Sequence, residues 1–452
     1  MKIFSTLIAV LISFVSIGQI SDKVQLKYNW DNDSLVGSAQ YNNTYNEVWG
    51  FAQDGLEYAF IGSTAGTHVF NVTDPFNTEE LAFIAGKHTV ITDIVHRDYH
   101  DYKGYLYALS DEGFSSLQIM DLSFLPDSIP VVYDSSEKIK NAHNIFIDTA
   151  TAKMYVCNVR TGEPRYAGFQ VYSLEDPLNP TLIFEENEYD VHDIYARNDT
   201  VFLNSGNDGL IIYDFSNGSN PTLLGTLTSY SDQGYNHSSW LDPTGQYYYM
   251  ADETHGTRIK IFDASDLSDL QEIALFGSGV DVNSIPHNMI WRNGYLFVSY
   301  YHDGLQIFDV SDPYNPTKVG FYDTYTANDH DSYKGAWGVY PSLPSGTILV
   351  SDMQTGLYVL AAPEILSFES PLALETNVFP NPFTEQLTIS LPKENLQQLG
   401  LKICNTNGQI VFQQSVNVQG TKLRIQPNLA AGLYLLSIDG ENFSFSQKLN
   451  RY

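Results

Sequence analysis

An internal repeat constrains this chain more than any other feature of its sequence. Residues 294–324 and 199–229 each contain a strand, a turn with glycine, a second strand that ends in Asp, an Asn-Pro turn and a third strand. Looser copies lie at 58–86, 104–135, 153–186 and 246–278, and a shortened copy lies at 346–364. Self-similarity at a fixed spacing predicts a fold of equivalent units that bury their faces against one another.

The spacing of the units predicts a β-propeller. With the strand that precedes each copy, a unit has four strands and a period of roughly 43–51 residues, which is typical of propeller blades. The last copy lacks its outer strand, whereas residues 24–32 resemble the outer strand at 317–325. Since an unpaired strand edge invites aggregation, we expect the amino-terminal strand to complete the last blade. The predicted fold is therefore all-β, with a closed seven-bladed propeller over residues 22–365.

The units resemble the LVIVD repeat, whose consensus is close to GLQIFDVSDPYNPTKVG at residues 304–320. Nearly the whole repeat region is also similar to the choice-of-anchor B proteins. The motifs that carry this likeness are HN at 143–144 and 287–288, DE at 252–253, SYY at 299–301, WGVYPSLPSG at 337–346 and SD at 351–352. The resemblance implies the propeller fold and an extracellular setting, and it brings no activity with it.

Both ends of the chain predict export. Residues 1–18 contain Lys2, an apolar run and small residues before Gln19, as in a secretory signal peptide. No later stretch reaches the roughly 20 apolar residues of a membrane span. After a linker at 366–376, residues 377–452 alternate apolar and polar residues between turns, which predicts a small immunoglobulin-like β-sandwich.

The carboxy-terminal residues resemble the type A sorting domain of type IX secretion substrates. The motifs that carry this likeness are Pro380-Asn381-Pro382, Asn407-Gly408-Gln409, Gly432-Leu433-Tyr434 and Lys448. The resemblance implies that the type IX secretion machinery is a partner and that the protein crosses an outer membrane. The domain then serves as an address and not as a functional part.

Composition excludes several classes of partner. The formal net charge of −30 argues against binding nucleic acid or anionic lipid, because phosphate recognition needs a basic surface. The two cysteines, Cys157 and Cys404, are too few for a disulfide framework, and we expect both to be free. We expect a monomer whose extracellular ligand or partner the sequence does not identify.

Four similar heptads place a histidine at the start of the first strand of successive units: NAHNIFI, DVHDIYA, YNHSSWL and IPHNMIW, with His143, His192, His237 and His287. The first strand of each blade lines the central channel of a propeller. We therefore expect the four imidazoles to converge at the channel mouth. Trp49, Thr92 and Trp337 are assigned to the equivalent place in the other units.

Acidic residues at the ends of the second strands are predicted on the same face. They are Asp111, Glu112, Asp208, Asp252, Glu253 and Asp352, with His255 and His302 in the loops that follow. Imidazole with carboxylate suits a divalent transition metal such as zinc, copper, manganese or iron. We predict His143, His192, His237, His287, Asp252 and Glu253 as metal ligands, and Trp49, Trp337, Asp111, Asp208 and Asp352 as the rim. A metal-free polar pocket, or packing inherited by duplication, would explain the same pattern.

Three classes of function fit these features. The first is a secreted or surface-displayed binding protein that holds a ligand or partner at the channel mouth. The second is a metal-dependent enzyme, redox or hydrolytic, on the same histidines; residues 294–320 are similar to the selenium-binding, methanethiol-oxidase propellers, for which histidine-bound copper is proposed. The third is an adhesive display module. HRDYHDY at 96–102 is assigned to a solvated loop. The acidic TANDHDSYKG at 326–335 lacks the spaced ligands and the glycine of a calcium-binding loop.

Overall fold

A computed structural model describes residues 20–39, 42–87, 96–111, 113–162, 165–327, 329–366, 377–391, 398–405, 409–417, 420–440 and 443–452. The chain divides into two compact units between Ile365 and Leu366. Several predicted features lie outside the described residues: the signal peptide at 1–18, Thr92, Glu112, most of the linker at 366–376, and Asn407-Gly408.

The described part of the first unit consists of seven antiparallel sheets, in which strands pair in chain order. The first sheet contains β3 (Tyr45–Gln53), β4 (Leu56–Ser63), β5 (Gly66–Asn71) and β6 (Glu79–Ala85). The second contains β7 (Arg97–Tyr102), β8 (Tyr105–Ser110), β9 (Leu117–Asp121) and β10 (Val131–Ser135), with a 3-10 turn at Leu122–Phe124. The third contains β11 (Asn144–Asp148), β12 (Lys153–Gly162), β13 (Arg165–Ser173) and β14 (Thr181–Glu186).

The remaining sheets repeat this order. The fourth contains β15 (Asp193–Arg197), β16 (Thr200–Asn204), β17 (Leu210–Asp214) and β18 (Thr222–Leu227). The fifth contains β19 (Asn236–Leu241), β20 (Tyr247–Asp252), β21 (Ile259–Asp263) and β22 (Gln271–Phe276). The sixth contains β23 (Met289–Arg292), β24 (Tyr295–Ser299), β25 (Leu305–Asp309) and β26 (Thr317–Tyr322). The seventh contains β27 (Ala336–Tyr340), β28 (Thr347–Asp352) and β29 (Gly356–Ala361).

The amino-terminal segment supplies outer strands to two sheets. Strand β2 (Gln25–Trp30) pairs with β29, with Gln25 opposite Ala361 and Trp30 opposite Leu357. Strand β1 (Ser21–Asp22) adds to β26 in the sixth sheet, which the sequence did not predict. Both pairings cover an edge that would otherwise expose unpaired backbone groups.

The first strand of each sheet contacts the first strand of the next. These contacts join β3 to β7, β7 to β11, β11 to β15, β15 to β19, β19 to β23, β23 to β27, and β27 to β3. Between the fourth and fifth sheets, Phe202 and Ile212 pack with Tyr248 and Met250. Tyr249 lies on the other face of the fifth sheet and packs toward the sixth. Because the middle strands are covered on both faces, they are continuous apolar runs and do not alternate with polar residues.

The glycine of the repeated Asp-Gly-Leu turn has a conformational role. Gly209 has φ +81° and Gly304 has φ +70°, and a Cβ on either would overlap the carbonyl oxygen of Leu227 or Tyr322. Only glycine combines the left-handed backbone with this close approach of the outer strand.

The second unit is a two-sheet sandwich. One sheet contains β30 (Asn377–Phe379), β31 (Leu387–Ser390) and β34 (Lys422–Ile425). The other contains β33 (Ile410–Asn417), β32 (Gln398–Asn405), β35 (Gly432–Gly440) and β36 (Phe443–Arg451). Leu387 and Ile389 of the first sheet share one core with Leu401, Ile403 and Leu436 of the second. Both sheets therefore bury one face, as the alternating sequence predicts.

Two further observations concern the described residues. Cys157 and Cys404 are both free, as predicted. In the described part of the chain, no helix has the length and apolar character needed to cross a membrane.

Candidate functional site

Five imidazoles and one indole form a ring of side chains where the first strands begin. We call His96, His143, His192, His237, His287 and Trp337 the histidine ring. The separations of neighbouring ring centroids are, in that order and back to His96, 6.2, 4.2, 4.3, 4.4, 4.1 and 4.4 Å. The structure therefore brings the four predicted histidines and Trp337 together, and it adds His96.

His96 corrects the prediction for the second sheet. The sequence assigned Thr92 to the ring and residues 96–102 to a solvated loop, but β7 begins at Arg97 and His96 immediately precedes it. The segment HRDYHDY lacks the apolar residues that indicate a buried strand. Its polar side chains are buried or half-buried and find partners inside the unit: the half-buried Asp98 accepts hydrogen bonds from Asn144 Nδ2 at 2.9 Å and from the Ile145 N–H at 2.8 Å.

Trp49 is not in the ring, contrary to the prediction. Its ring centroid lies 4.6 Å from that of His100 and 4.9 Å from that of Tyr340, and its Nε1 donates to Asp101 Oδ1 at 2.9 Å. These residues belong to an aromatic layer further along the first strands, which also contains Phe146, Tyr195 and Trp240. The assignment failed because strand β3 extends over Tyr45–Gln53, so its start lies four residues before Trp49.

Four of the five ring histidines each have their Nδ1 within hydrogen-bond distance of an oxygen. Asp111 Oδ2 lies 2.9 Å from His143 Nδ1 and 3.1 Å from His96 Nδ1. His192 Nδ1 lies 3.1 Å from Asp193 Oδ1, and His287 Nδ1 lies 2.6 Å from the carbonyl oxygen of Trp337. For His192 and His287, an oxygen partner on Nδ1 sets the tautomer and leaves Nε2 as the ligating nitrogen, which is the usual arrangement around protein-bound metals. His96 Nε2 already lies 3.1 Å from Asn43 Nδ2.

His237 has no such partner on either nitrogen. The residue is 1% exposed, and among the described residues neither Nδ1 nor Nε2 has a hydrogen-bond partner. The nearest carboxylate oxygens are Asp193 Oδ2 at 3.7 Å and Glu253 Oε2 at 3.8 Å. His287 Nε2 is also buried and unpartnered. Leaving buried polar atoms unpaired costs about 1–3 kcal/mol each, so a bound water molecule, ion or ligand at these atoms would stabilise the site.

Electrostatics keeps the two most buried imidazoles neutral. Burial lowers the pKa of His237 well below its ordinary value, and the neighbouring His192 and His287 lower it further. Burial also lowers the pKa of His287 to about 3. Neutral imidazole is the form that coordinates metals. His143 differs: burial opposes its protonation, but Asp111 outweighs burial and raises its pKa to about 9.

Three groups of residues offer ligand atoms that all lie within 4.8 Å of one another. They are His96 with Asp111 and His143, His143 with His192 and Asp193, and His192 with His237 and Glu253. Each group holds two histidines. Among the described residues, these overlapping ligand groups contain His96, His143, His192 and His237, and His287 belongs to none of them. The four predicted imidazoles therefore do not meet at one point.

Three carboxylates lie beside the ring, and the sequence did not predict them as site residues. We call Glu47, Asp98 and Asp193 the acid layer; with Asn144 and Asn288 they line a small cavity together with the ring. Glu47 Oε2 accepts from Asn288 Nδ2 at 2.7 Å. Burial, followed by repulsion from Asp98, raises the pKa of Glu47 well above its ordinary value, and burial raises the pKa of Asp98 to about 7. The sequence feature that could have indicated this polar layer is the polar residue directly after the histidine, in HN at 143–144 and 287–288 and in HD at 192–193.

Of the predicted acids, Glu253 and Asp111 reach the ring, but Asp252 does not. Asp252 and Lys260 are each 0% exposed, and Lys260 Nζ lies 2.8 Å from Asp252 Oδ2. Asp252 also accepts from the Gly234 N–H at 2.7 Å and from the Tyr230 hydroxyl at 3.1 Å. Its oxygens belong to a buried ion pair. Side chains alternate along a strand, so Asp252 faces away from the ring and the residue after it faces the ring.

Asp352 and Asp208 are also outside the ring. Asp352 is buried and accepts from Thr324 Oγ1 at 2.7 Å and from the Gln354 N–H at 2.9 Å. Asp208 is exposed in the turn between β16 and β17. The loop histidines lie elsewhere too: His255 is exposed, and His302 Nε2 lies 2.7 Å from the carbonyl oxygen of Ser332.

Ser63, His68 and Glu80 have the hydrogen-bond order of a serine-hydrolase triad. Ser63 Oγ lies 3.0 Å from His68 Nε2, and His68 Nδ1 lies 2.8 Å from Glu80 Oε1. However, Ser63 is 0% exposed, and its Oγ accepts the N–H groups of Ala65 and Gly66 at 3.2 and 3.3 Å. A nucleophile must reach its substrate, so this set is structural.

We therefore expect a fluorophosphonate probe to leave the native protein unlabelled, because the serine oxygen is closed to a reagent of that size. Mass spectrometry of the intact chain measures the adduct. Labelling that is present in the native protein and absent from a Ser63→Ala variant would contradict this expectation.

Two family models match parts of the chain. One family model, described as LVIVD repeat, matches residues 190–229 and 291–324, which contain most of the fourth and sixth sheets. A second, described as Secretion system C-terminal sorting domain, matches residues 377–450. The chain carries LVIVD repeats and a C-terminal secretion sorting domain. The sorting domain indicates export by type IX secretion to the cell surface or the extracellular space.

Solved structures resemble the LVIVD-repeat protein in fold. U3-55K has a TM-score of 0.54 at 8% identity, over 75% of this chain and 98% of that one. The WD40 repeats of RRP9 have a TM-score of 0.54 at 8% identity, over 75% and 97%. The periplasmic gluconolactonase PpgL of Pseudomonas aeruginosa has a TM-score of 0.51 at 11% identity, over 85% and 99%. No curated protein matches the sequence. WD40 repeats form β-propellers, so the LVIVD-repeat region has a propeller-type, all-β fold.

Proposed function

We propose that this exported propeller binds a divalent transition-metal ion at the histidine ring and presents it to an extracellular ligand or partner. The observation that carries the proposal is His237, which is 1% exposed and has no hydrogen-bond partner on either nitrogen within the part of the chain that the structure describes. If the ring served only for packing, these nitrogens would stay unpaired, and this would lower the free energy of unfolding. A metal ion satisfies them without adding a protein group.

The neighbours of His237 support the same proposal. Asp193 and the Trp337 carbonyl oxygen hold the Nδ1 atoms of His192 and His287, so the Nε2 atoms of these two imidazoles are available as ligands. Glu253 adds a carboxylate oxygen to the group of His192 and His237. Imidazole with carboxylate suits zinc, copper, manganese and iron.

The architecture is part of the proposal. We infer a closed seven-bladed propeller over residues 22–365, because the contacts between first strands run from β3 through β27 and back to β3. The likeness to choice-of-anchor B proteins, a signal peptide at 1–18 and a linker at 366–376 complete the proposed organisation. Such a chain would display the ring outside the cell.

Metal content tests the proposal. Purified protein is incubated separately with zinc, copper, manganese and iron(II), passed through gel filtration and analysed for metal. We expect the wild type to retain zinc or copper, and a His192→Ala variant to lose most of it, because His192 belongs to two ligand groups. A His255→Ala variant, which removes an exposed histidine, should retain the wild-type content. A wild-type protein that retains none of the four metals would refute the proposed function.

A further inference from the structure

The structure assigns Tyr301 to the proposed metal site as the residue that positions Glu253 as a ligand. This inference rests on the proposed function, and it locates the ion in the group formed by His192, His237 and Glu253. Tyr301 does not bind the ion itself. Its hydroxyl group acts through the carboxylate, so we call Tyr301 a positioning residue.

The group that contains His237 is the one whose ligand atoms still need a partner. In the other two groups, the Asp111 carboxylate already pairs with both of its imidazoles, and Asp193 already pairs with His192. Both His237 nitrogens lack a hydrogen-bond partner among the described residues, and Glu253 Oε2 lies 3.8 Å from His237 Nε2. Two atoms that each lie about 2.1 Å from one zinc ion are at most about 4.2 Å apart. A single ion can therefore bridge this gap, which is too long for a hydrogen bond.

Tyr301 holds the second oxygen of the same carboxylate. Its hydroxyl group donates a hydrogen bond to Glu253 Oε1, while Glu253 Oε2 lies on the side of His237. Because one oxygen is held, the other keeps its direction toward the imidazole. Carboxylate ligands of metals are commonly fixed by such hydrogen bonds, and losing one typically weakens metal binding about 10–100-fold.

The backbone of Tyr301 indicates a role beyond folding. Residues 300–304 align with residues 205–209 of the fourth unit, so the residue equivalent to Tyr301 is Gly206. Tyr301 has φ +41° and Gly206 has φ +52°. The two turns have the same hydrogen bond, from Gly304 N–H to the Tyr301 carbonyl oxygen at 3.0 Å and from Gly209 N–H to that of Gly206 at 3.3 Å.

The comparison separates what the turn needs from what the tyrosine adds. The left-handed region is unfavourable for a bulky side chain, whereas glycine adopts it without strain. The turn of the sixth unit would therefore form more easily with glycine at position 301. Strained backbone of this kind is typical of functional sites, and here the side chain that it carries reaches Glu253.

Tyr300 provides a matched control. Tyr300 and Tyr301 are adjacent, and each is 1% exposed. The Tyr301 ring packs on the imidazole of His287, with centroids 4.9 Å apart. Tyr300 belongs instead to the apolar core between the fifth and sixth sheets, with Tyr249 and Val298. Removing either hydroxyl group changes a buried tyrosine, but only one of the two contacts Glu253.

The test removes one hydroxyl group at a time. In equilibrium dialysis with zinc and with copper(II), Tyr301→Phe should bind about 10–100-fold more weakly than the wild type, and Tyr300→Phe should bind as the wild type does. The electron paramagnetic resonance spectrum of bound copper(II) should change in Tyr301→Phe, because a carboxylate that is no longer held alters the ligand field. It should stay unchanged in Tyr300→Phe, since that hydroxyl group is remote from the ligands.

The outcomes distinguish this inference from the proposed function. A Tyr301→Phe variant that binds both metals as tightly as the wild type would overturn the positioning role and keep the proposed function. Equal losses in Tyr301→Phe and Tyr300→Phe would also overturn it, because they would indicate loosened packing. A wild type that binds neither zinc nor copper(II) would overturn this inference, and one that retains none of the four metals would overturn the proposed function as well.

A second variant covers a failure to fold. If Tyr301→Phe shows no cooperative thermal transition, Tyr301→Gly removes the same hydroxyl group and suits the left-handed backbone, as Gly206 does in the fourth unit. Tyr301→Gly should show the same loss of metal affinity and the same spectral change. Wild-type affinity in this variant would overturn the positioning role.

Discussion

Replacing Asp252 by alanine should destabilise the propeller unit by about 3–5 kcal/mol, because it leaves the ammonium of Lys260 buried without its partner. Both side chains are 0% exposed, and Lys260 Nζ lies 2.8 Å from Asp252 Oδ2. Asp252 also holds the Gly234 N–H and the Tyr230 hydroxyl. Chemical denaturation followed by circular dichroism measures the loss in the free energy of unfolding.

The control variants distinguish a structural role of the buried Asp252 from a role as a metal ligand. Asp208→Ala removes an exposed aspartate and should change the free energy of unfolding by less than about 0.5 kcal/mol. A double variant, Asp252→Leu with Lys260→Met, replaces the pair by apolar side chains of similar size and should recover part of the stability, because the ammonium is gone but the Gly234 N–H and the Tyr230 hydroxyl still lose their acceptor. If the folded Asp252→Asn variant loses metal, then Asp252 is a ligand after all, and the structural role assigned to it is wrong.

Removing residues 20–31 should abolish cooperative folding of the propeller unit. The deletion takes away the whole of β2, whose backbone pairs with β29 from Gln25 opposite Ala361 to Trp30 opposite Leu357. It also removes the Trp30 ring, whose centroid lies 4.9 Å from that of Phe70 and 5.5 Å from that of Tyr45. Each lost hydrogen bond costs about 1 kcal/mol and the half-buried indole about 2 kcal/mol. The sum is comparable with the 5–15 kcal/mol that stabilises a typical domain.

A rearranged chain provides the matched control for this deletion. Strand β2 is antiparallel to β29, and Gln25 lies opposite Ala361. Residues 24–31 inserted after Ile365 of the deleted chain can therefore fold back onto β29 in the same register. This addition should restore a cooperative thermal transition to the deleted chain, while Gln25→Ala in the intact chain should have little effect. A deleted chain that melts like the wild type would show that β2 contributes nothing to the unit.

Much of the site followed from repetition in the sequence. His143, His192, His237 and His287 occupy the same position in successive units, and equivalent positions in a repeat fold lie on the same face. The structure brings all four into one ring. Trp337 was placed correctly for the same reason.

The errors came from local register. A shift of one residue moves a side chain to the opposite face of a strand, so Asp252 and Glu253 have opposite environments although they are adjacent. His96 was missed because the segment before β8 lacks the apolar pattern of the other first strands. Trp49 was misplaced because its unit has no histidine that marks the start of the strand.

The sequence by itself determined the repeat, its period, the sorting domain and the alignment of four histidines, because each of these is a pattern along the chain. Only the tertiary structure decided which carboxylates belong to the site. Asp111 meets His143, 32 residues away, and Glu47 meets Asn288, 241 residues away, through contacts between different sheets. The energy of a charged group depends on which partners share its buried surroundings, and those partners are brought together by the packing of sheets and not by their separation in the sequence.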